Sequence, residues 1–97
     1  MNIDGTWKVI PLTGWIRLLI GNKKYITNDK GYNRLFGIKW GRFKITEKDG
    51  KIIFTYDNGK VIDELEPVRD MLLGDYFSVK DGEKEFVGVF IMVKEKS

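Results

Sequence analysis

Asp63 is the titratable residue of this 97-residue chain whose setting most favours a binding role. In a strand, Val61, Asp63 and Leu65 share one face, so the carboxylate could point into a core. A buried carboxylate requires a counter-charge or several hydrogen bonds. An Arg–Asp pair at the mouth of a closed sheet could anchor the carboxylate or phosphate of a ligand, or it could simply tie strands together. Asp63 facing solvent is a third alternative. Its candidate partners are Asn33, Arg34, Arg42 and Arg69.

The residue types present favour binding over catalysis. The chain contains no His and no Cys, so the usual general base, thiol nucleophile and soft metal ligands are missing. Asp63 and Glu64 are adjacent and would point to opposite faces of a strand, and Ser78 has no histidine to activate it. We therefore expect a non-catalytic protein without a cofactor or a metal.

Aromatic residues make up 13% of the chain and could line an apolar pocket. In this interpretation Arg34 or Arg42 would lie with Asp63 at the mouth of the pocket. In the alternative, the rings simply fill the core and leave no cavity. The residues predicted to form the pocket wall are Trp7, Trp40, Phe54, Tyr56 and Phe90.

The elements that would position these residues are strands. Ala and Gln are absent, whereas Ile, Val, Phe, Tyr, Trp and Thr are abundant. From Trp40 onward, strand-like runs alternate with Asp-Gly or Asn-Gly dipeptides, which favour hairpin turns. This pattern predicts four or five antiparallel strands in the second half. The runs are 42–47, 51–56, 61–65 (closed by Pro67), 72–79 and 85–93.

The first half of the chain is less regular. Residues 5–10 are predicted to form a strand ended by Pro11, and residues 24–27 another. Residues 12–20 are apolar and form either a short helix, with Thr13 as its N-cap and Gly21 as its end, or a further strand. In either case this segment could cover the outer face of the last strand, in which Val87, Val89, Ile91 and Val93 share one face and Phe86, Phe90 and Met92 the other.

Together these runs give seven or eight strands in under 100 residues. Closing such a sheet into a barrel removes its free edges. We therefore predict an all-β protein with one domain, residues 1–97, folded as a small antiparallel meander barrel. The amino end lacks the pattern of a secretion signal, no apolar run is long enough for a spanning helix, and cysteine is absent, so we expect a cytoplasmic protein.

Several stretches resemble a known family. Gly5-Thr6-Trp7 resembles the G-x-W motif on the first strand of lipocalins and related calycins. The segments 31–36, 39–43, 54–57, 61–65 and 72–74 come in an order similar to that of small lipocalin-like proteins of unknown function, including domains with a G-x-W-x-G signature, although Val9 occupies the second glycine position. The resemblance spans residues 5–93. It implies a small β-barrel that binds an apolar or amphipathic small molecule or lipid.

The charge distribution could mark an anionic partner, whether nucleic acid, phosphate or a membrane surface, or simply a soluble surface whose two ends interleave once folded. Residues 1–48 carry ten basic and three acidic side chains, a balance of +7, while residues 49–97 have a balance of −4. Basic and aromatic residues interleave between 23 and 44, as on OB-like faces that bind single-stranded nucleic acid. The apolar segments 15–20 and 86–93 could instead form a homodimer surface. The residues of the basic aromatic stretch are Lys23, Lys24, Tyr25, Lys30, Tyr32, Arg34, Lys39, Trp40, Arg42, Phe43 and Lys44.

Overall fold

The computed structural model describes residues 2–96 and, within them, every side chain except that of Leu19. These residues form a closed antiparallel barrel in which each strand pairs with its sequence neighbours and the last strand pairs with the first. The predicted all-β meander barrel is therefore confirmed. Its eight strands are β1 (Gly5–Pro11), β2 (Lys23–Thr27), β3 (Lys30–Leu35), β4 (Ile38–Lys48), β5 (Lys51–Tyr56), β6 (Val61–Val68), β7 (Met71–Lys80) and β8 (Glu83–Lys94).

Four of the hairpin turns place two successive residues at positive φ. Asp49-Gly50 and Asp81-Gly82 both have φ angles of 52° and 78°, and Asn28-Asp29 has φ angles of 51° and 62°. Turns of this kind match the twist of the flanking strands and favour Asn, Asp and Gly. The fourth turn, Phe36-Gly37, has φ angles of 50° and 81° although its first residue is a phenylalanine.

Side chains from all eight strands fill the barrel. A barrel of eight strands is just wide enough for its interior side chains to pack against one another. Phe43 and Phe54 stack in the core with a centroid distance of 4.5 Å. The buried side chains contributed by the strands are Trp7, Lys24, Ile26, Asn33, Phe43, Ile52, Phe54, Tyr56, Asp63, Leu65, Leu72, Tyr76, Phe90 and Met92.

A β-bulge in β4 brings two aromatic residues to the same side of the sheet. Asn33 of β3 pairs with Trp40 and Gly31 pairs with Phe43, so β4 has one residue more than β3 in this interval. Gly41 has a φ of 58°, and a Cβ atom there would lie 2.8 Å from Asn33 Nδ2. The extra residue lets Trp40 and Phe43, three positions apart, both face inward, which strict alternation would forbid.

A second bulge, in β8, makes the faces of the last strand differ from the predicted ones. Phe77 pairs with Phe86 and Tyr76 pairs with Gly88, which leaves Val87 as the extra residue. Phe90, which was predicted to line the pocket, faces the interior together with Met92, but Phe86 is exposed and packs edge-on against Phe77. The prediction that Phe86 shares the face of Phe90 and Met92 was wrong because alternation is broken at Val87.

Residues 12–22, here called the crossing segment, run across one end of the barrel between β1 and β2. They contain a 3₁₀ helix, Trp15–Leu19, that begins after Gly14 without a side-chain cap. The predicted Thr13 cap was wrong: Thr13 Oγ1 instead accepts a hydrogen bond from the Val89 amide of β8 at 3.0 Å. Ile16 is buried at the end of the barrel. The segment therefore covers the barrel end, and it lies against β8 where Leu12 N donates to Val89 O at 2.8 Å.

Pro67 does not close β6, as the sequence suggested, because that strand continues to Val68. Pro67 pairs with Leu72 one residue before the strand ends, a position where a missing N–H is tolerated. Among residues 2–96, no helix has the length and apolar content needed to cross a membrane.

Candidate functional site

A lysine and an aspartate meet inside the barrel. Lys24 of β2 and Asp63 of β6 are both buried, and the Lys24 Nζ atom lies 3.5 Å from Asp63 Oδ2. The two strands are four positions apart around the eight-stranded barrel, so the pair spans its interior. Asp63 therefore faces inward, and its counter-charge comes from a lysine rather than from an arginine. Removing both charges from water is costly, so the remaining hydrogen bonds determine whether they can stay buried.

The Lys24 ammonium group is well coordinated. It donates to Asn33 Oδ1 at 2.7 Å and to the Tyr56 hydroxyl at 2.5 Å. It also lies 4.9 Å from the ring centroid of Phe43 and 5.9 Å from that of Phe90, where aromatic faces attract a cation. Burial lowers the pKa of Lys24, and the charge of Asp63 opposes that shift. With its donors directed to these partners, Lys24 is held in place as part of the barrel interior.

Asn33 makes more hydrogen bonds than any other member of the polar cluster, which consists of Asn22, Lys24, Asn33, Tyr56 and Asp63. The Oδ1 atom of Asn33 accepts from Lys24 and, at 2.9 Å, from Asn22 Nδ2. Its Nδ2 donates to the carbonyl oxygen of Gly41 at 3.0 Å and to the hydroxyl of Tyr56 at 3.2 Å. The amide thus joins the crossing segment, the β4 bulge and the interior charges in one network.

Asp63 retains an unused acceptor. Its Oδ2 accepts from the Tyr56 hydroxyl at 3.2 Å, whereas its Oδ1 is buried without a hydrogen-bond partner among the described residues. Burial raises the pKa of Asp63, opposed by Lys24 and Tyr56. Burial and the charge of Asp63 also raise the pKa of Tyr56 well above its ordinary value, so this hydroxyl keeps its proton and remains a donor to Asp63. A buried unpaired acceptor is the kind of group that a water or a ligand donor would satisfy.

Asp63 lines a small cavity of about 20 Å³ beneath the crossing segment. That volume is enough for about one water molecule. Its lining combines polar groups of the cluster with apolar side chains, including Ile16 of the crossing segment. The lining residues are Val9, Pro11, Ile16, Asn22, Lys24, Asn33, Trp40, Tyr56, Asp63, Tyr76 and Phe90.

The structure brings together only part of the predicted pocket. Trp40, Tyr56, Asp63 and Phe90 line the cavity, and the Trp40 indole donates to Asn22 Oδ1 at 3.2 Å. The other four predicted residues lie elsewhere: Trp7 and Phe54 are buried in the core outside the cavity lining, while Arg34 and Arg42 are exposed on the outer surface.

Neither Lys24 nor Asn22 was predicted to lie in the interior. The available signal was the alternation of Asn22, Lys24 and Ile26, all of which are buried, with Lys23 and Tyr25, which are half-buried. Two adjacent lysines obscured that alternation because lysine is rarely buried unless it is paired.

The side chains of the predicted basic aromatic stretch lie on both sides of the barrel wall, some inside and some outside. Lys24, Trp40 and Phe43 face inward, whereas Tyr25 and Tyr32 lie on the outer surface of β2 and β3 with their rings stacked at 5.2 Å. Each of these rings also contacts a cation. Arg34 lies 5.5 Å from the Tyr25 centroid, and Lys39 lies 4.1 Å from that of Tyr32. A nucleobase would have to displace these contacts in order to stack.

Compared with known proteins, the chain matches no family model and no curated protein. Within residues 2–96, no group of three or more carboxylate, imidazole or thiol side chains is placed to hold a metal ion. The candidate site is therefore defined by its own geometry: a buried Lys–Asp pair with one free acceptor, beside a small cavity that the crossing segment covers.

Proposed function

We propose that this small β-barrel is lipocalin-like and binds a small amphipathic molecule at its covered end, without catalysis. The observation that carries the proposal is the buried Asp63 Oδ1 atom, which lacks a partner and belongs to a residue lining the cavity. The eight-stranded meander and the position of Trp7 on β1 are consistent with the resemblance to lipocalins.

The free acceptor indicates the chemistry of the ligand's polar end. Lys24 already directs its hydrogen bonds to Asn33 and Tyr56, so a ligand would find an acceptor rather than a free cation. A hydroxyl group satisfies Asp63 Oδ1, whereas a carboxylate would bring a second negative charge against it. We therefore infer a neutral molecule that ends in a hydroxyl group or a similar donor.

The crossing segment controls access for the apolar part of such a molecule. The cavity of about 20 Å³ holds only the polar tip, and the buried side chain of Ile16 occupies the space above it. One side of the segment is tied to β8 through Leu12 and Thr13. A ligand chain would pass beneath the 3₁₀ helix and displace Ile16.

The test is the binding of hexan-1-ol to the Ile16→Ala variant. Truncation enlarges the cavity, so we expect I16A to bind hexan-1-ol more tightly than the parent protein and hexanoate more weakly than hexan-1-ol. Trp40 lines the cavity, so tryptophan fluorescence reports binding, and native mass spectrometry of the freshly purified protein shows whether it retains a molecule.

The matched control is Ile52→Ala, which removes the same atoms from a buried isoleucine that does not line the cavity. Equal responses of I16A and I52A to hexan-1-ol, or binding of hexanoate as tight as that of the alcohol, would contradict the proposed site.

A further inference from the structure

The Phe36-Gly37 turn differs in its first residue from the three other turns that have two successive residues at positive φ. Three comparable turns begin with Asn28, Asp49 or Asp81, whose side chains tolerate positive φ. Phe36 adopts a φ of 50° in the equivalent position, where a bulky residue is strained. Its side chain is 83% exposed, so core packing does not offset that strain. Strain that gives no benefit to the fold suggests a function for the exposed ring.

Phe36 belongs to an apolar rim at the covered end of the barrel, formed by Leu18, Ile20, Phe36 and Ile38. Their exposed fractions are 81%, 70%, 83% and 70%, respectively. The two parts of the rim are adjacent: Phe36 Cε1 lies 3.7 Å from the position that a Cβ atom would occupy on Gly21, the residue after Ile20. Clustered exposure of large apolar side chains marks an interaction surface.

Basic side chains accompany this rim. Arg17 is exposed in the 3₁₀ helix, and Arg34 and Lys39 are exposed on the strands that flank the Phe36 turn. None of the three has a carboxylate within salt-bridge distance among the described residues. Between residues 12 and 46 the single acidic side chain is Asp29, which lies in the β2–β3 turn at the opposite end of the barrel. The carboxylates at the covered end, Asp57, Asp81 and Glu83, lie in or beside the β5–β6 and β7–β8 turns.

We propose that the apolar rim and its cations dock the covered end of the barrel onto an anionic lipid bilayer. Apolar tips insert at the boundary between headgroups and acyl chains, while flanking Arg and Lys residues attract acidic headgroups. Symmetric contact with a second copy would place the cations of both rims close to each other. The aliphatic side chains of Leu18, Ile20 and Ile38 also offer no stacking surface for a nucleobase. This surface is independent of whether the barrel interior takes a ligand.

The experiment measures co-sedimentation with vesicles of phosphatidylcholine and phosphatidylglycerol, compared with phosphatidylcholine alone. The decisive variant is Phe36→Asn, which puts at this position the residue type that begins the Asn28-Asp29 turn. We expect F36N to melt at the same temperature as the parent or higher, because the strain is relieved, and to bind mixed vesicles at least about tenfold more weakly. Val68→Asn, an exposed apolar residue at the opposite end, is the control and should bind as the parent does.

A second pair of variants tests the electrostatic part. Lys39 and Lys48 lie at opposite ends of β4. We expect Lys39→Gln to weaken binding to the mixed vesicles about fivefold, equivalent to about 1 kcal/mol, and Lys48→Gln to have less effect.

Three results would overturn the proposal. One is vesicle binding that F36N and V68N reduce equally. Another is a dimer, seen by sedimentation equilibrium, that F36N dissociates while neither protein binds vesicles. The third is binding of an oligothymidylate by the parent and by F36N alike, without any vesicle binding.

Discussion

Lys24 Nζ and Asp63 Oδ2 lie 3.5 Å apart inside a closed sheet, on strands that face each other across the barrel. Each charge has the other as its counter-ion, and both are also bonded to Tyr56. The pair therefore acts as a polar crosslink through the centre of an otherwise mainly apolar core.

Breaking this pair should destabilise the barrel more than removing it. Lys24→Met leaves Asp63 buried without its counter-ion, so we expect the free energy of unfolding to fall by about 3–5 kcal/mol. In the double variant with Asp63→Asn both charges are gone, and its loss should be smaller than the sum of the single losses by about 0.5–3 kcal/mol. Urea unfolding of the four proteins measures this coupling; simple additivity would show that the charges do not interact.

Asn33 should contribute as much to the stability of the barrel as the charged pair does. Asn33→Ala leaves Asn22 Nδ2 and the Gly41 carbonyl without the bond that Asn33 provides, and each unsatisfied buried group costs about 1–3 kcal/mol. It also removes one hydrogen bond each from Lys24 and Tyr56, which keep their bonds to each other and to Asp63. We expect this variant to unfold in far less urea than the parent. Asn58 accepts a single exposed bond from the Lys60 amide, so Asn58→Ala is the control and should lose about 1 kcal/mol at most. Equal losses for the two variants would mean that the network contributes little.

The stability of the barrel should fall in alkaline solution. Burial and then the charge of Asp63 raise the pKa of Tyr76 to about 12, and the pKa of Tyr56 is also raised well above 10.0. Between pH 10.0 and about pH 12, these tyrosines therefore release protons in the unfolded chain that they retain in the folded barrel. The free energy of unfolding consequently decreases as the pH rises. The lowered pKa of Lys24 makes the free energy of unfolding increase with pH, but only up to pH 10.5, the ordinary pKa of lysine.

Urea unfolding across this pH range, with tyrosinate absorbance as a second probe, measures the loss. Tyr76→Phe should lose less stability than the parent over the same range because one of the shifted groups is gone. A free energy of unfolding that stays constant from 10.0 to about 12 would be incompatible with these pKa values.

Gly88 fixes the crossing segment to β8. Its φ is not in the left-handed region, but a Cβ atom there would lie 2.2 Å from the Thr13 carbonyl oxygen. Gly88→Ala should therefore push the segment away from β8 and cost about 1–3 kcal/mol. Hydrogen exchange of the Leu12 and Thr13 amides, which donate to Val89 O, should become faster, whereas the amides that join β4 to β5 should keep their rates. Unchanged exchange at Leu12 and Thr13 would show that this contact does not hold the segment.

The strands were predictable from the sequence because their signals are local. Alternation of apolar and polar residues and the Asp-Gly turns each depend on a few neighbouring positions. The bulges at Gly41 and Val87 were not predictable in this way, since inserting a residue into one strand depends on what its partner presents. The face of Phe86 was assigned incorrectly for that reason.

The candidate site was predicted only in part. The alternation of Val61, Asp63 and Leu65 correctly allowed an inward carboxylate, but the identity of its partner depends on which strands face each other after closure. Arginines were the natural candidates by chemistry, yet Arg34 and Arg42 are exposed on the outer wall. Lys24 has the right position because its strand lies across the barrel, a fact that appears only when the barrel closes.

The pairing of β1 with β8 has a kinetic consequence. The other seven strand pairings join neighbours in the chain, so each closes a short loop, whereas this pairing brings Trp7 beside Lys94. Long-range pairings form slowly, so we expect the pairing of β1 with β8 to be the last of the eight to form. In a sheet that is still open there, water can reach Lys24 and Asp63. We therefore expect the desolvation of the two charges to accompany closure of the barrel and to oppose it.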